Sequence, residues 1–227
     1  MIEKLNWDSA FFGFPVGKTS IESPDFFNEG AFLNAASAYK LVYLFAKSPI
    51  SNSRFTQPAD VKLTFQKTLE SENSGVKLRV FNADFHDYND LQKLAFQSGE
   101  YSRFKTDKGF DPKEFNRMYD IWIKKSIDSE RSMVLVEELD NKLAGFVSID
   151  FDASETVSIG LIAVDGEMRG KGVGALLMAQ AEKAALKVGK KFIRVATQQK
   201  NTSATNFYVK QGYSLADQIF IYHYWNL

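Results

Sequence analysis

The sequence contains no cysteine, and this absence excludes several kinds of chemistry. Without thiols the chain cannot form disulfides, use a thiolate nucleophile or bind zinc through sulfur. Histidine is also scarce. The chain has only two, His86 and His223, and they lie far apart in the sequence. We therefore expect no metal site and no metal cofactor.

Long apolar runs and an excess of charge of one sign are missing as well. No stretch approaches the roughly 20 apolar residues of a membrane-spanning helix, and the N-terminus lacks the basic-then-apolar pattern of a signal peptide. The 28 basic and 28 acidic residues give a net charge of zero, so no general basic field attracts nucleic acid. These absences predict a cytoplasmic protein that binds neither membranes nor nucleic acid.

The composition that remains is typical of a packed globular protein. The chain has 227 residues, of which 44% are hydrophobic and 14% aromatic, enough for one large domain or two small ones. A polar stretch without apolar anchors, ESENSG at residues 70–75, has the character of a linker. We therefore predict a small αβ N-terminal domain over residues 1–74 and a second domain over residues 75–227.

Hydrophobic patterns in the chain predict helices and strands in alternation. Asp111-Pro112 predicts a helix start, and Asp140-Asn141 joins two apolar runs as a hairpin. The patterns also predict a helix from Ser23-Pro24 to about Tyr39, a strand over residues 78–81 and an irregular loop over residues 98–110. The fold class expected from this order is α/β, with a mixed, mostly antiparallel central sheet flanked by helices.

A glycine-rich turn between an apolar strand pattern and an amphipathic helix is the most informative stretch. It contains four glycines and two basic residues, namely Gly166, Arg169, Gly170, Lys171, Gly172 and Gly174. Backbone N–H groups at a helix N-terminus attract anions, and nearby cations strengthen that attraction. The turn therefore predicts a pyrophosphate site, although a turn that merely caps a helix is the simpler interpretation.

Two well-known phosphate motifs fit this turn poorly. A P-loop has four residues between its first glycine and Gly-Lys, whereas three separate Gly166 from Gly170, and Gly172 stands where Ser or Thr should follow Lys171. The dinucleotide pattern G-x-G-x-x-A is met by Gly170, Gly172 and Ala175, but the next strand ends in Thr-Gln-Gln and offers no acid for a ribose. We therefore favour a third motif.

That third motif is R/Q-x-x-G-x-G/A, and further motif pieces accompany it downstream. The pieces are Arg169-x-x-Gly172-x-Gly174, Asn201-x-x-Ala204-x-x-Phe207-Tyr208 and Gly212-Tyr213. Together they make the region from Val76 to the C-terminus resemble the GCN5-related N-acetyltransferase (GNAT) superfamily. The resemblance implies an enzyme that takes acetyl-CoA as its acetyl-donating substrate and transfers the acetyl group to an amine.

The resemblance also implies which residues bind the coenzyme. Backbone amides of the glycine turn would hold the pyrophosphate, and backbone groups of the preceding strand would pair with the pantetheine arm and polarise the thioester carbonyl. The implied coenzyme-binding residues are Ile162, Val164, Arg169, Gly170, Lys171, Gly172, Val173, Gly174 and Asn201. For Asn201 a simple helix-capping role is an equal alternative.

Tyr208 is the candidate catalytic residue. A phenol with an ordinary pKa near 10 keeps its proton at neutral pH, so it can protonate the leaving thiolate as a general acid. The alternative is that Tyr208 only packs against the pantetheine arm. The sequence assigns no general base, and His223 and Glu155 are candidates only by their position near strand ends.

A narrower resemblance extends over the whole chain, to the dTDP-fucosamine acetyltransferase family of bacterial surface-polysaccharide synthesis. Its pieces are Leu5-Asn6-Trp7, Phe11-Phe12-Gly13, Ser102-Arg103-Phe104, Tyr119-x-x-Trp122-Ile123 and the ending from Tyr222 to Trp225. It implies a small-molecule amine, specifically a nucleotide-linked amino sugar, as the acceptor. The candidate acceptor-binding residues are Tyr101, Arg103 and His223, with Arg103 gripping a phosphate; a solvated loop charge and a structural histidine are the alternatives.

Two other functions stay open at this point. A protein or peptide N-acetyltransferase would need an open groove, and a non-catalytic acyl-CoA-binding module could use the same fold. An exposed final strand, from residue 218 to residue 225, would also allow the chain to form a homodimer by strand pairing.

Overall fold

The computed structural model describes residues 1–50, 54–55, 57–70 and 75–226. Within these ranges the chain forms nine strands and seven α-helices. The strands are β1 (Glu3–Lys4), β2 (Val16–Ile21), β3 (Leu41–Ala46), β4 (Asp60–Thr68), β5 (Ser132–Leu139), β6 (Lys142–Phe151), β7 (Thr156–Val164), β8 (Phe192–Gln198) and β9 (Ser214–Trp225). The helices are α1 (Asn6–Phe12), α2 (Glu29–Ala36), α3 (Tyr88–Ser98), α4 (Arg103–Thr106), α5 (Pro112–Asp128), α6 (Val173–Lys187) and α7 (Thr202–Lys210).

All nine of these strands belong to one sheet, in the order β1-β2-β3-β9-β4-β8-β7-β6-β5. The pairs β2/β3 and β7/β8 are parallel, and every other neighbouring pair is antiparallel. The prediction of an α/β protein with a mixed, mostly antiparallel sheet is therefore confirmed.

Helices cover both faces of the sheet. On the first face, α1, α3, α4 and α5 pack through clusters that include Tyr43, Phe104 and Phe146. On the second face, α2, α6 and α7 pack through clusters that include Val42, Phe65 and Leu177. Because side chains alternate along a strand, successive residues of one strand serve opposite faces.

The N-terminal part of the chain contributes to the middle of the sheet. β4 pairs with β8 on one side and with β9 on the other, and its Val61, Leu63 and Phe65 pack in the core of the second face. The predicted division of the chain after residue 74 stays a prediction, but the hydrogen bonding of the sheet crosses it. Most of the predicted linker, residues 71–74, lies outside the described residues.

The final strand is not exposed as the sequence suggested. β9 lies between β3 and β4, so both of its edges are already hydrogen-bonded. The edges of the described sheet are β1 and β5 instead. Dimerisation by strand pairing at β9 is therefore ruled out, because a strand pairs through only two edges.

Local signals placed several elements correctly. The Asp111 side chain accepts a hydrogen bond from the Lys113 N–H, at 2.9 Å, and so caps α5, which Pro112 begins. The hairpin between β5 and β6 turns at Asp140 and Asn141, whose φ angles are 52° and 60°. Both residues tolerate this left-handed conformation better than most, which explains the turn at this point.

Three local predictions were wrong in detail. The helix predicted from Ser23-Pro24 to about Tyr39 is shorter: residues 24–26 form only a 3-10 turn, and α2 runs from Glu29 to Ala36. It begins at Glu29 because Asn28 supplies the side-chain cap, with Oδ1 2.9 Å from the Ala31 N. The predicted strand over residues 78–81 is a single bridge from Val80 to Leu135 at the β5 edge. The predicted loop over residues 98–110 contains the short helix α4, which Ser102 caps.

Candidate active site

A cleft opens where β7 and β8 separate. The two strands pair in parallel only from Thr156↔Phe192 to Ile159↔Val195. Directly after Ile159 the pairing of β7 with β6 shifts by one residue, so that Gly160 and Leu161 together face Ser148. Such a bulge bends a strand and increases its twist, and here it turns the end of β7 away from β8.

The alternation of the backbone aims two amides of β7 into this cleft. Asp165 donates its N–H to Ala144 O of β6 at 2.9 Å, and Leu161 donates its N–H to Ser148 Oγ, also on β6, at 2.8 Å. Since N–H groups alternate between the two edges of a strand, those of Ile162 and Val164 point away from β6. The predicted backbone residues Ile162 and Val164 therefore line the wall of the cleft.

The glycine turn lies at the end of β7 and leads directly into α6. Gly170 and Gly172 have φ angles of 78° and 83°, a region that favours glycine. Gly172 is the N-cap of α6 and has no side chain to satisfy the first turn of the helix. The first hydrogen bond joins Leu176 N to Gly172 O at 3.1 Å, so the amides of Val173 and Gly174 stay available to an anion.

Gly174 has a second role, because the first turn of α6 packs tightly on α7. A Cβ atom at this position would lie 3.1 Å from the Phe207 ring and 3.6 Å from a Val164 methyl group. This close approach places the N-terminus of α6 beside the end of β7, where the cleft is open.

The two basic residues of the turn are exposed and carry no ion pair to any carboxylate of the described residues. Arg169 Nε lies 3.3 Å from Val164 O, and Lys171 Nζ lies 3.4 Å from Met168 Sδ. Two free cations beside unpaired helix amides form an arrangement that attracts a pyrophosphate.

α7 brings Asn201 and Tyr208 to the second face of the sheet. Asn201 caps the helix, with Oδ1 accepting from Ala204 N at 3.1 Å, and this leaves its Nδ2 protons for another acceptor. Tyr208 is 3% exposed and shares a cluster with Ile162 and Val164. Burial raises the pKa of Tyr208 above its ordinary value, so the phenol keeps its proton at neutral pH.

The first face holds a carboxylate that the sequence did not single out. Asp60 begins β4, is 8% exposed and pairs with Ile221 of β9. The next residue, Val61, packs in the same cluster as Tyr208, so alternation turns Asp60 to the opposite face. Burial raises the pKa of Asp60 to about 6, although the charges of Arg103, Lys200 and Lys62 oppose the rise.

Arg103 on α4 covers this part of the first face. Its guanidinium lies 4.4 Å from the centre of the Phe104 ring and 5.4 Å from that of Tyr43. Its Nε is buried and finds no hydrogen-bond acceptor among the described residues. Burial lowers the pKa of Arg103, and the neighbouring Tyr43, Asp60, Tyr119 and Asp8 oppose that effect. Tyr101, the other predicted residue of this loop, is exposed.

The side chain of His223 is buried and is paired with a carboxylate. Its side chain is 2% exposed, and Nδ1 lies 2.5 Å from Asp107 Oδ2, which also accepts from Trp225 Nε1 at 3.0 Å. Burial lowers the pKa of His223 more than Asp107 raises it, so the imidazole is neutral at pH 7. Burial alone would raise the pKa of Asp107, but hydrogen bonds from His223, Gly109 and Trp225 bring it to about 2. The pair fastens the loop after α4 to β9.

A cavity of about 650 Å³ lies between α3 and the segment from Asp165 to Arg169. Arg169 of the glycine turn lines it, whereas Asp60 and Tyr208 do not. Over the ranges the structure describes, no three acidic or histidine side chains are arranged to hold a metal ion. None of the helices in those ranges is both long and apolar enough to cross a membrane.

Sequence reasoning missed two residues of this region, Asp60 and Ser148. The only sequence signal for Asp60 is an acidic residue just before an alternating strand pattern, and Ser148 stands unremarkably inside an apolar run. Their neighbours come from β9, α4 and β7, which are distant in the chain, so no local pattern could have revealed them.

Comparison with known proteins agrees with this geometry. The dTDP-fucosamine acetyltransferase of Escherichia coli O6:H1 is 28% identical over 221 residues, which cover 93% of this chain and 92% of that protein. An uncharacterised N-acetyltransferase of Archaeoglobus fulgidus is 27% identical over 140 residues, covering 59% of this chain and 91% of that protein.

Solved structures share the fold. A functionally unknown conserved protein from Staphylococcus epidermidis superposes with a TM-score of 0.64 at 13% identity, covering 94% of this chain and 84% of that chain. The PaiA N-acetyltransferase of Thermoplasma acidophilum, solved in complex with coenzyme A, gives a TM-score of 0.50 at 21% identity and covers 65% of this chain and 98% of that one.

The family assignment rests on the part of the chain that forms the cleft. Residues 90–213, from α3 to the end of α7, match the model of the acetyltransferase (GNAT) family. This region includes the bulged strand, the glycine turn and the helix that carries Tyr208. The chain belongs to the acetyltransferase (GNAT) family and is an acyl-CoA-dependent N-acetyltransferase.

Proposed function

We propose that this N-acetyltransferase moves an acetyl group from acetyl-CoA to the amine of a nucleotide-linked amino sugar, with both substrates bound at once. The observation that carries the proposal is the separation of β7 from β8 after Ile159, because it opens a passage between the two faces of the sheet. The glycine turn and Tyr208 lie on the second face, whereas Asp60 and Arg103 lie on the first.

The residues around the glycine turn fit the pyrophosphate of coenzyme A. Unpaired amides of Val173 and Gly174 lie at the positive end of the α6 dipole, and Arg169 and Lys171 add two charges. Asn201 Nδ2 is free to bind an amide oxygen of the pantetheine arm. The coenzyme supplies the acetyl group as a thioester.

The amide of Ile162 is the proposed donor to the thioester oxygen. It points into the cleft just beyond the bulge, where an extended pantetheine arm would run along β7 like an added strand. A fixed N–H donor stabilises the oxygen most when negative charge develops on it, and this lowers the barrier to acyl transfer.

Asp60 is the proposed general base. An amino-sugar ammonium must lose a proton before its nitrogen can attack, and a carboxylate whose pKa is about 6 is mostly ionised at pH 7 to 8. The first ammonium proton passes to Asp60, the new C–N bond forms and the C–S bond breaks. Tyr208 protonates the leaving thiolate, and the second proton released by the nitrogen returns to the Tyr208 phenolate.

An amino sugar as the acceptor is supported by two observations. The relative that matches over 93% of this chain is a dTDP-fucosamine acetyltransferase. On the first face, the basic Arg103 stands among aromatic rings, Tyr43 and Phe104 among them, and such a wall suits a sugar ring joined to phosphates. The roles of Tyr101 and His223 toward the acceptor stay predictions.

The experiment that tests the proposed function uses the absence of cysteine. Thiol released from acetyl-CoA can be followed with Ellman's reagent, because the protein contributes no thiol of its own. We expect acetyl-CoA to stabilise the protein in a thermal-shift assay and dTDP- or UDP-linked amino sugars to accelerate thiol release. Stabilisation without release on any amine would favour a binding module, and release only with peptide amines would favour a protein acetyltransferase.

A further inference from the structure

Ser148 is a buried polar residue that none of the roles above uses. It lies in the middle of β6 and is 0% exposed, and its chain neighbours Val147 and Ile149 belong to the core on the opposite face of the sheet. A serine at such a position normally needs a hydrogen-bond partner. Its partner is the Leu161 N–H, which lies 2.8 Å from the Ser148 hydroxyl oxygen.

This hydrogen bond lies at the bulge that opens the cleft. In the β6/β7 ladder Val147 pairs with Ile162 and Ile149 pairs with Ile159, so Ser148 alone faces Gly160 and Leu161. The extra residue of a bulge leaves a backbone group without its regular ladder partner. Here the Leu161 N–H donates to the Ser148 hydroxyl oxygen instead of to a backbone carbonyl of β6.

The bulge changes which amides face the cleft. Val157 and Ile159 place their side chains in the cluster of the second face, and so do Ile162 and Val164, although Ile162 lies three positions after Ile159 and regular alternation would put it on the opposite face. At the bulge, the two sets of β7 residues therefore exchange the faces to which their side chains point and the edges to which their N–H groups point. Without that reversal the Ile162 N–H would point to β6 rather than into the cleft.

The backbone of β7 passes close to the hydroxyl. A Cβ atom at Gly160 would lie 3.0 Å from Ser148 Oγ and 3.1 Å from Asp150 Oδ2, so only glycine fits at this point of the bulge without displacing these two side chains. Ser148 itself is fully buried.

We propose that Ser148 is a positioning residue, whose hydroxyl holds the β7 bulge so that the Ile162 amide points at the acyl oxygen of the donor. The inference rests on the proposed function, because it assumes that an acyl-CoA occupies the cleft. Ser148 touches no substrate and acts only through the backbone of β7.

The test uses [1-¹³C]acetyl-CoA bound to the full-length protein and needs no acceptor. A hydrogen bond to the thioester oxygen moves the carbonyl ¹³C resonance downfield from its position in free acetyl-CoA. We expect this displacement in the wild-type protein and in Ser148→Thr, which keeps the hydroxyl. We expect Ser148→Ala to lose most of the displacement, and acyl transfer to fall about ten- to a hundredfold in kcat with a much smaller change in KM for acetyl-CoA.

Ser158→Ala is the matched control, because Ser158 is an exposed serine of the bulged strand β7, in a regular pair with Asp150. It should leave the resonance at the wild-type position. Ser148→Cys is nearly isosteric and provides a second variant should Ser148→Ala fail to fold; its weakly accepting sulfur should give an intermediate displacement.

The outcomes separate this inference from the proposed function. If the wild-type protein does not bind acetyl-CoA, the proposed function fails. If the wild-type protein binds it and shows the displacement, but Ser148→Ala or Ser148→Cys retains all of it, the positioning role of Ser148 is overturned. A loss as large in Ser148→Thr as in Ser148→Ala would assign the effect to packing and would also overturn it.

Discussion

At the scale of single residues, Asp60 shows how burial changes the chemistry of a side chain. Its ordinary pKa of 3.8 would leave it fully ionised and weakly basic at neutral pH, whereas burial at the start of β4 raises the pKa to about 6. A general base works best when its pKa lies near the working pH. The position of Asp60 on the acceptor face therefore suits it to remove a proton from an ammonium group.

We predict that Asp60→Asn lowers kcat/KM for the acceptor by about 10²- to 10⁴-fold, since Asn cannot accept the proton. In the wild-type enzyme kcat/KM should rise with pH through about 6 and then level, because the ionised form is the active one. The measurement is the pH profile of thiol release. Asp217→Asn, which changes an exposed carboxylate of β9, is the control and should keep the wild-type profile.

The raised pKa of Asp60 should also make the stability of the protein depend on pH. A carboxyl whose folded-state pKa lies above its unfolded value stabilises the fold at low pH and loses that contribution as pH rises. For Asp60 the loss falls between about pH 4 and pH 6. Asp60→Asn removes it, so its melting temperature should exceed that of the wild-type protein at pH 8 but not at pH 4. A lower melting temperature at pH 8 would contradict the buried, ionised state assigned to Asp60.

Tyr208 can be tested in a way that separates its two possible roles. If it protonates the leaving thiolate, Tyr208→Phe should lower kcat by about a hundredfold while the affinity for coenzyme A stays the same. If it only packs against the pantetheine arm, turnover should stay near the wild-type rate. Thiol-release kinetics and calorimetric titration with coenzyme A distinguish these results, and the Phe ring preserves the packing against Phe65 and Tyr213.

At the scale of elements, the N-terminus of α6 is the feature on which the proposed anion site of the cleft depends. The two left-handed glycines, Gly170 and Gly172, turn the chain so that the helix starts without a capping side chain. A capping Ser or Asp at residue 172 would satisfy the first-turn amides and would take the place of a ligand. The absence of a capping side chain at Gly172 is thus what leaves the first-turn amides free for the proposed anion.

We predict that Gly172→Ala weakens coenzyme A binding by about tenfold or more, because alanine resists a φ angle of 83° and shifts the first-turn amides. Gly189→Ala provides the matched control: Gly189 is also left-handed, with a φ angle of 73°, but it follows the other end of α6. The melting temperature should fall by a similar amount in both variants. Equal loss of coenzyme A affinity in both would show that the helix start is not the binding site.

At the scale of the whole molecule, the sheet joins the two parts that the sequence seemed to separate. β4 supplies Asp60 to the acceptor face and Val61, Leu63 and Phe65 to the core of the second face. Its neighbours β8 and β9 both come from the C-terminal part. The side of the cleft that we propose binds the acceptor is therefore built from both ends of the chain.

We predict that residues 75–227 alone do not fold to the native state. The fragment lacks β1 to β4, so β9 loses both of its partners and β8 loses one. The loss also exposes apolar contacts worth about 2 kcal/mol for each core side chain, against a total stability of about 5–15 kcal/mol. Circular dichroism and the dispersion of amide resonances provide the measurement. A cooperative unfolding transition in this fragment would instead support an independent domain after residue 74.

The sequence by itself was enough to predict several elements and to propose the residues of the donor side. Glycines, caps and hydrophobic periods are local signals, so the hairpin at Asp140-Asn141, the helix starting at Pro112 and the turn from Gly166 to Gly174 were all readable. The binding of a pyrophosphate needs only neighbouring backbone amides, and these follow one another in the chain.

The residues of the proposed acceptor side became apparent only in the tertiary structure. The charge state of Asp60 depends on burial by elements far away in sequence, and the direction of the Ile162 amide depends on a bulge that Ser148 stabilises from another strand. The placement of β9 between β3 and β4 likewise arises from pairings over long distances. Such contacts leave no periodic trace in the sequence, because they form between residues that are neighbours only after the chain has folded.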